Sequence, residues 1–178
     1  ENKEDIKDIK KDVMTMQVFL KEYLDYSEKV NINRSSNLNI FDFINEVVSS
    51  SKKIKNKTKI ICKKRVFFNT DKNSLYRIIL NLLENASKHS NKILVVITKN
   101  LSLLKIEIDD DGPGIPDNQK KKVFKPFYKI DNSRNLNQAG TGLGLSIANE
   151  LVKTLNGKIE LYDSKKLNGS SFSIKLKS

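Results

Sequence analysis

The sequence predicts an α/β protein, a two-layer sandwich in which one sheet carries helices on one face, preceded by a long amphipathic helix. Two observations lead to this prediction. Segments whose apolar residues recur every three or four positions alternate with short segments whose apolar residues recur every second position. The chain of 178 residues is also long enough to bury a core in one domain of ordinary size, with an appendage in addition.

The appendage is the amino-terminal segment. Its apolar residues alternate at spacings of three and four, the heptad stripe of a helix that packs against other helices: Ile6, Ile9, Val13, Met16, Leu20 and Tyr23. The helix packs either on its own domain or in an intermolecular bundle, and we favour the bundle because the stripe stops well before the globular part. We therefore expect a helix over 1–31, a polar linker over 32–38 and a globular domain over 39–178.

Within the globular domain the same patterns predict the order of elements. Helices are expected over 40–53, 72–89, 117–124 and 142–155. Asn39 and Asp71 are the expected N-caps of the first two. Strands are expected over 59–62, 65–68, 92–99, 103–109, 158–162 and 171–176. The polar stretch 125–140 has little periodicity, so we expect a loop that moves or carries function.

Composition bears on partners and compartment. Lys and Arg (33) exceed Asp and Glu (21), giving a net charge of +12, which suits an anionic partner or simply a lysine-rich solvated surface. We favour the solvated surface because no aromatic stacking stripe accompanies the lysines. The single cysteine, Cys62, cannot form an internal disulfide and indicates a reducing compartment. No apolar run approaches the roughly 18 residues that a membrane span requires.

One face of the helix over 72–89 is polar. Asn81, Asn85, Lys88 and His89 follow one another at i, i+4, i+7 and i+8. A neutral amide oxygen is a suitable single ligand for Mg²⁺, which keeps waters and substrate phosphates as its other ligands. Any one of these residues is equally explained by a solvated helix face. As a set beside two glycine-rich turns, they favour a nucleotide site.

The two glycine-rich turns follow this helix in the chain. In the first, Asp110 ends a strand, and a carboxylate there can accept a hydrogen bond from an exocyclic amine and so select adenine over guanine. The second, Gly140-Thr141-Gly142, precedes a helix whose amino terminus offers free amides to phosphate. Between them, residues 124–129 place aromatics on a lysine-rich loop, as a lid over a nucleotide or as a loop pinned to the core. Each turn alone is weak evidence.

In this order the segments resemble the N, G1, F and G2 boxes of the ATP-binding domain of bacterial two-component sensor histidine kinases. These belong to the superfamily of gyrase, chaperone, histidine kinase and mismatch-repair ATPases, and the overall pattern is most similar to osmosensor-type kinases. The resemblance covers roughly residues 39–178. It implies the Bergerat-type ATP-binding fold, with a mixed, mostly antiparallel sheet. The amino-terminal helix resembles the second helix of the dimerisation hairpin of these kinases.

The resemblance implies roles for single residues. Asn85 is the implied Mg²⁺ ligand and Asp110 the implied adenine-reading carboxylate, with ATP and Mg²⁺ as the ligands of the site. The other implied ATP contacts are Lys88, His89, Gly112, Gly114, Ile115, Phe127, Tyr128, Gly140, Thr141, Gly142, Leu143, Gly144 and Leu145. Residues 117–141 are the implied mobile lid.

The implied catalytic residues are Asn81, Lys88 and Lys129. Lys129 stands where relatives often carry Arg, and a lysine offers no bidentate fork to a phosphate. Asn81 stands where the related hydrolysing ATPases carry a Glu that activates water. An amide cannot serve as that general base, so transfer to a protein acceptor is favoured over hydrolysis.

The resemblance also implies partners. In such kinases the γ-phosphoryl of ATP passes to a histidine of the dimerisation domain and then to an aspartate of a response regulator. The one histidine here, His89, lies in the predicted site, so we expect a piece of a longer protein that binds Mg-ATP without labelling itself. The implied partners are the acceptor helix, the response regulator and a second copy in a homodimer. The implied location is the cytoplasmic part of an inner-membrane-anchored bacterial protein.

Other functions stay open. One is a serine-directed kinase of the anti-sigma type or a hydrolysing ATPase of the same fold, which Asn81 and the dimerisation-like helix disfavour. Another is a catalytically silent dimerising scaffold, which the intact boxes disfavour. A nucleic-acid binder is the remotest alternative. We expect no nucleic acid among the partners, and a salt-dependent gel shift would reveal one.

Overall fold

The computed structural model describes residues 35–130 and 141–177 together with isolated positions of the amino-terminal segment. Those positions are helical, and their apolar side chains are between 49% and 64% exposed: Ile6, Ile9, Val13, Met16, Leu20 and Leu24. They follow the predicted stripe, except that the last described position is Leu24 rather than Tyr23. The remainder of the helix expected over 1–31 lies outside the described residues.

The described elements alternate between strands and helices. In chain order they are β1 (Ser35–Asn39), α1 (Ile40–Ser49), α2 (Lys52–Lys55), β2 (Thr58–Cys62), β3 (Phe67–Asp71), α3 (Lys72–His89), β4 (Ile93–Asn100), β5 (Leu103–Asp110), α4 (Asp117–Lys120), a 3₁₀ turn (Lys122–Phe124), α5 (Gly144–Thr154), β6 (Lys158–Asp163) and β7 (Ser170–Lys177). No helix in these ranges is both long and apolar enough to cross a membrane.

Five strands form the central sheet, in the order β2-β4-β5-β7-β6. Among the described strands of this sheet, only β2 and β4 run parallel to each other, and the other neighbouring strands are antiparallel. β1 and β3 form a separate antiparallel pair. The prediction of an α/β fold with a mixed, mostly antiparallel sheet is therefore confirmed.

The two faces of the sheet differ as strand periodicity requires. Val95, Ile108 and Phe172 are aligned across β4, β5 and β7 and are fully buried with the apolar sides of α1, α3 and α5. One residue further along, Val96 and Glu107 are aligned on the opposite face and are only half-buried. Helices thus cover one face, and the other carries polar and charged side chains.

Helix α3, which bears the predicted site residues, begins and ends as predicted. The Asp71 carboxylate accepts a hydrogen bond from the Ser74 N–H at 2.7 Å, which caps the amino terminus. At the other end the Lys57 ammonium donates to the carbonyl oxygens of Ser87 (2.9 Å) and Ser90 (2.5 Å). A cation there satisfies carbonyls left without helical partners and complements the helix dipole. The Lys57 side chain thereby fixes the carboxyl-terminal end of α3, which is the end that faces the site.

The interpretation of residues 32–38 as a linker is wrong for its second half. Residues Ser35–Asn39 form β1, which pairs with β3 from Ser35 opposite Asp71 to Asn39 opposite Phe67. The sequence of β1 is polar apart from Leu38, so no alternation indicated a strand. The pairing partner is about thirty residues away in the chain, and only tertiary contact supplies it.

Other predicted bounds also require correction. The helix expected over 40–53 breaks after Ser49, because Ser51 is extended and the Ser50 hydroxyl donates to the Val47 carbonyl at 2.7 Å. Asn39 precedes the first helix but makes no side-chain cap, since its amide donates to Asp42 instead. The strand expected over 65–68 lies later, at Phe67–Asp71.

Candidate functional site

The polar face of α3 forms one wall of the site. Asn81 and Asn85 are half-buried on it, and Lys88 and His89 are exposed near its end. The Asn81 amide donates to the Arg77 carbonyl at 2.9 Å. Asn85 makes no side-chain hydrogen bond to any residue in the described ranges, so its amide oxygen is available to a ligand.

The turn after β5 lies against the carboxyl end of α3. A Cβ on Gly112 would stand 2.9 Å from the His89 carbonyl oxygen, so this close approach requires glycine. Asp111 fastens the same turn, because its carboxylate accepts hydrogen bonds from the N–H groups of Asn91 (2.7 Å) and Lys92 (2.8 Å). Those bonds, that from Lys92 foremost, hold the pKa of Asp111 below its ordinary value.

Asp110 is the buried acidic group of the site, with 5% of its surface exposed. One carboxylate oxygen, Oδ1, accepts hydrogen bonds from the N–H groups of Gly112 (2.9 Å) and Ser170 (3.0 Å). Burial raises the pKa of Asp110 above its ordinary value, and these two hydrogen bonds offset part of the rise. No donor in the described ranges contacts Oδ2, which leaves one acceptor for a ligand.

The second glycine turn, which precedes α5, contacts both α3 and the loop that contains Phe127. Gly142 has a φ of +80°, and its carbonyl accepts the Phe127 N–H at 3.0 Å. Gly144 begins α5, and a Cβ there would stand 3.0 Å from Asn81 Oδ1. Because Gly142 lies in the left-handed region, α5 cannot start at the predicted position and begins two residues later.

The amino terminus of α5 is open. Leu143 precedes the helix and provides no side-chain cap for it. Thr141 Oγ1 accepts the Leu143 N–H at 3.2 Å, which shapes the turn before the helix. No side chain in the described ranges caps the first N–H groups of α5, and these groups have no helical partners, the arrangement that favours a phosphate.

The remaining predicted residues are dispersed around this centre. Leu143 is 1% exposed and belongs to the core, while Ile115, Tyr128 and Leu145 pack partly buried against it. Phe127 is 58% exposed and has a φ of 63°, rare for a non-glycine residue.

Two loop positions and one glycine complete the set. Gly114 lies in the first turn with a φ of +75°. Lys129 is exposed, and no hydrogen bond or ion pair joins it to another described residue. Gly140 and the middle of the expected lid, residues 131–140, lie outside the described residues.

The sequence did not predict the two residues that hold Asp110 in place, Gly169 and Ser170. The Gly169 N–H donates to the Asp110 carbonyl at 3.1 Å, next to the bond from Ser170 to its side chain. Gly169 and Ser170 lie about sixty residues later in the chain. The one signal for them is the Asn168-Gly169 pair between two strands, which indicates a turn but not what it contacts.

Residues 70–178 match the family model described as "Histidine kinase-, DNA gyrase B-, and HSP90-like ATPase". The chain belongs to this family. The matched segment contains both glycine turns and all of α3. The four sequence segments that resemble the N, G1, F and G2 boxes were expected to form one site. They lie together in the structure, because α3 contacts Gly112 and Phe127 contacts Gly142.

Individual relatives are named as a histidine kinase and as a sensor protein kinase. The chain is 38% identical over 113 residues to hybrid signal transduction histidine kinase F of Dictyostelium discoideum, covering 60% of this chain and 10% of that protein. It is 32% identical over 149 residues to sensor protein kinase WalK of Staphylococcus aureus, covering 78% and 36%. The chain thus spans a minor part of the length of these relatives.

A solved structure has the same fold. Full-length ShkA in complex with AMPPNP superposes with a TM-score of 0.76, at 18% identity, over 91% of this chain and 36% of that one. At this identity the likeness establishes the fold alone.

Proposed function

We propose that the chain is the ATP-binding catalytic domain of a sensor histidine kinase. It would transfer the γ-phosphoryl of Mg-ATP to a histidine of a dimerisation domain, for relay to an aspartate of a response regulator. The observation that carries the proposal is the free Oδ2 of Asp110 in a site that also holds a polar helix face and an uncapped helix amino terminus. The family match and the names of the relatives support it.

Each part of the site suits one part of ATP. Asp110 Oδ2 accepts a hydrogen bond from the adenine amino group. The first amides of α5 and the Lys88 ammonium neutralise phosphate charge, and Lys129 approaches from the loop. Catalysis then consists mainly of positioning and charge neutralisation, as in other phosphoryl transfers.

The residues present fit a magnesium ion bound together with the nucleotide. The unengaged amide oxygen of Asn85 is a hard ligand of the kind that Mg²⁺ accepts, with phosphates and waters completing its shell. No cluster of three or more His, Cys, Asp or Glu in the described ranges offers an all-protein cage. When bound, the ion neutralises phosphate charge.

Asn81 favours transfer to a protein over hydrolysis. Its amide nitrogen is used by the Arg77 carbonyl, and its oxygen lies beside Gly144. A neutral amide cannot take a proton from water, so the chain has no general base at this position. We therefore expect ATP to be held without steady turnover until an acceptor is present.

Asn85→Ala is expected to remove the magnesium-dependent part of nucleotide affinity, about tenfold, because it deletes the proposed ligand oxygen. The affinity measured without Mg²⁺ should stay unchanged. Calorimetric titration of a non-hydrolysable ATP analogue, with and without Mg²⁺, measures both quantities. Asn45→Ala is the control, because Asn45 is a half-buried asparagine of another helix, α1, and its amide donates to the Phe41 carbonyl. An Asn85 variant with full magnesium dependence contradicts the assignment.

Phosphotransfer is tested by adding a separate dimerisation domain that carries an acceptor histidine. The chain itself contains one histidine, His89, which lies in the proposed site. Radiolabel from γ-labelled ATP on the added histidine supports a kinase. Steady release of phosphate without an acceptor supports an ATPase instead, and a folded chain that binds no nucleotide supports a silent scaffold.

The amino-terminal stripe supports the proposal of a homodimer. The proposed location, the cytoplasmic part of a membrane-anchored kinase, rests on the resemblance to sensor kinases alone. The described apolar side chains of the stripe, from Ile6 to Leu24, are roughly half to two-thirds exposed, and burial against a second copy would remove them from water. Light scattering is expected to show a mass that rises with concentration toward that of a dimer. A monomeric mass at every concentration contradicts this expectation.

A further inference from the structure

The turn between β6 and β7 is a compact loop closed on Ser164. The Ser164 N–H donates to the Gly169 carbonyl at 2.8 Å, and the Asn168 N–H donates to the Ser164 carbonyl at 2.9 Å. The Ser164 hydroxyl oxygen also accepts from the N–H groups of Lys166 (3.3 Å) and Leu167 (3.1 Å). Four hydrogen bonds therefore join the loop to Ser164.

This loop is fastened to β5 through Asp109. The Ser164 hydroxyl donates to Asp109 Oδ1 at 2.8 Å, and the Lys166 ammonium donates to Asp109 Oδ2 at 3.1 Å. The Asp109 side chain is only 3% exposed. A buried carboxylate is tolerated only when partners satisfy it, and here each oxygen has one. We call these three residues, Asp109, Ser164 and Lys166, the clasp.

The far end of the same turn determines the position of Asp110. Gly169 donates to the Asp110 carbonyl and Ser170 donates to its Oδ1, which together with the Gly112 N–H orients the carboxylate. Asp109 and Asp110 are consecutive in β5 and point to opposite faces of the sheet. The β6–β7 turn thus contacts the clasp residue Asp109 on the outer face of the sheet and, a few residues later, Asp110 in the site.

We propose that the clasp of Asp109, Ser164 and Lys166 is a positioning device for adenine selection, which holds the β6–β7 turn so that Asp110 presents Oδ2 to the nucleobase. This inference rests on the proposed function, in which Asp110 reads adenine. The clasp residues do not touch the nucleotide. They act through the N–H groups of Gly169 and Ser170.

The experiment compares the affinities for ADP and for inosine diphosphate, which lacks the exocyclic amine, together with the melting temperature. Asp109→Asn puts an amide nitrogen or a weaker acceptor opposite Lys166. It is expected to reduce the preference for ADP about tenfold, since a misaligned acceptor loses the hydrogen bond that discriminates the bases. Lys166→Met is expected to act in the same direction, and Lys166→Arg to restore the preference.

Glu107→Gln is the matched control. Glu107 lies two residues before Asp109 on the same strand and face and binds Lys105 at 2.9 Å. It is 3.9 Å from the Lys166 ammonium, farther than Asp109 at 3.1 Å, and it makes no hydrogen bond to a described residue of the turn. The preference for ADP should remain. If Asp109→Asn does not fold, Lys166→Met decides, because the Lys166 side chain is 42% exposed and its removal leaves the core intact.

The outcomes separate this inference from the function on which it rests. A lowered melting temperature with an unchanged preference for ADP in the clasp variants makes the clasp a structural anchor and overturns the inference. If Asp110→Asn also keeps the preference, Asp110 does not read adenine, and the assignment of Asp110 falls together with the role of the clasp.

Discussion

Asp110→Asn is expected to weaken ADP binding by at least about a hundredfold while the domain stays folded. The oxygen of an asparagine can accept the same two hydrogen bonds, from the N–H groups of Gly112 and Ser170. The position of Oδ2 is then taken by an NH₂ group, which is a donor facing the amino group of adenine. Calorimetric titration with ADP measures the loss, and a variant of wild-type affinity contradicts the adenine-reading role.

The same substitution is expected to leave the melting temperature at neutral pH unchanged or raised. Burial raises the pKa of Asp110, so the native state retains this proton at a pH at which the unfolded chain has released it. Stability therefore falls as the pH rises through the raised pKa, and at neutral pH the ionised carboxylate costs stability that an amide does not. The advantage of the variant should shrink as the pH is lowered.

Nucleotide affinity should follow the opposite trend in the wild-type protein. Adenine recognition requires the ionised carboxylate, so ADP affinity should decrease as the pH falls through the raised pKa of Asp110. Melts and titrations at neutral and mildly acidic pH test both trends. A melting temperature that drops sharply in the Asp110→Asn variant at neutral pH would contradict the first trend. It would show that the negative charge of Asp110, and not the position of its oxygen, holds the turn at Gly169 and Ser170.

Gly169→Ala is expected to lower the free energy of unfolding by about 1–3 kcal/mol, the usual cost of overpacking, and to abolish the preference for ADP. A Cβ on Gly169 would stand 2.4 Å from both the carbonyl oxygen and Oδ1 of Asp110, and 2.6 Å from the Gly112 nitrogen. Two of these are backbone atoms, which cannot rotate away. The turn must shift, and the orientation of the Asp110 carboxylate must shift with it.

Gly157→Ala provides a control of similar severity elsewhere in the fold. A Cβ there would stand 2.4 Å from Leu176 Cδ2 and 2.6 Å from the Lys175 carbonyl oxygen, at the junction of α5 and β6. Urea unfolding should show destabilisation of both variants. Only the Gly169 variant should lose the preference for ADP over inosine diphosphate, and equal preferences in the two would contradict the role of this turn.

Patterns within short segments were enough to predict most elements of the fold. Helix α3 was predicted with the observed bounds, because Asp71 caps it and its apolar positions keep helical spacing. The β4–β5 pair was predicted within one residue at each end, from its alternation. β1 was missed, because its polar sequence forms a strand only through pairing with β3.

The site divides in the same way. The sequence by itself was enough to propose which residues carry chemistry, since the carboxylate, the paired asparagines and the glycine turns each lie in a short contiguous segment. Only the tertiary structure decided how they are held. Asp110 owes its orientation to Gly169 and Ser170, and their turn is held in place by Asp109 on the opposite face of the sheet. Hydrogen bonds between residues so distant in sequence depend on strand order and register, which no local pattern encodes.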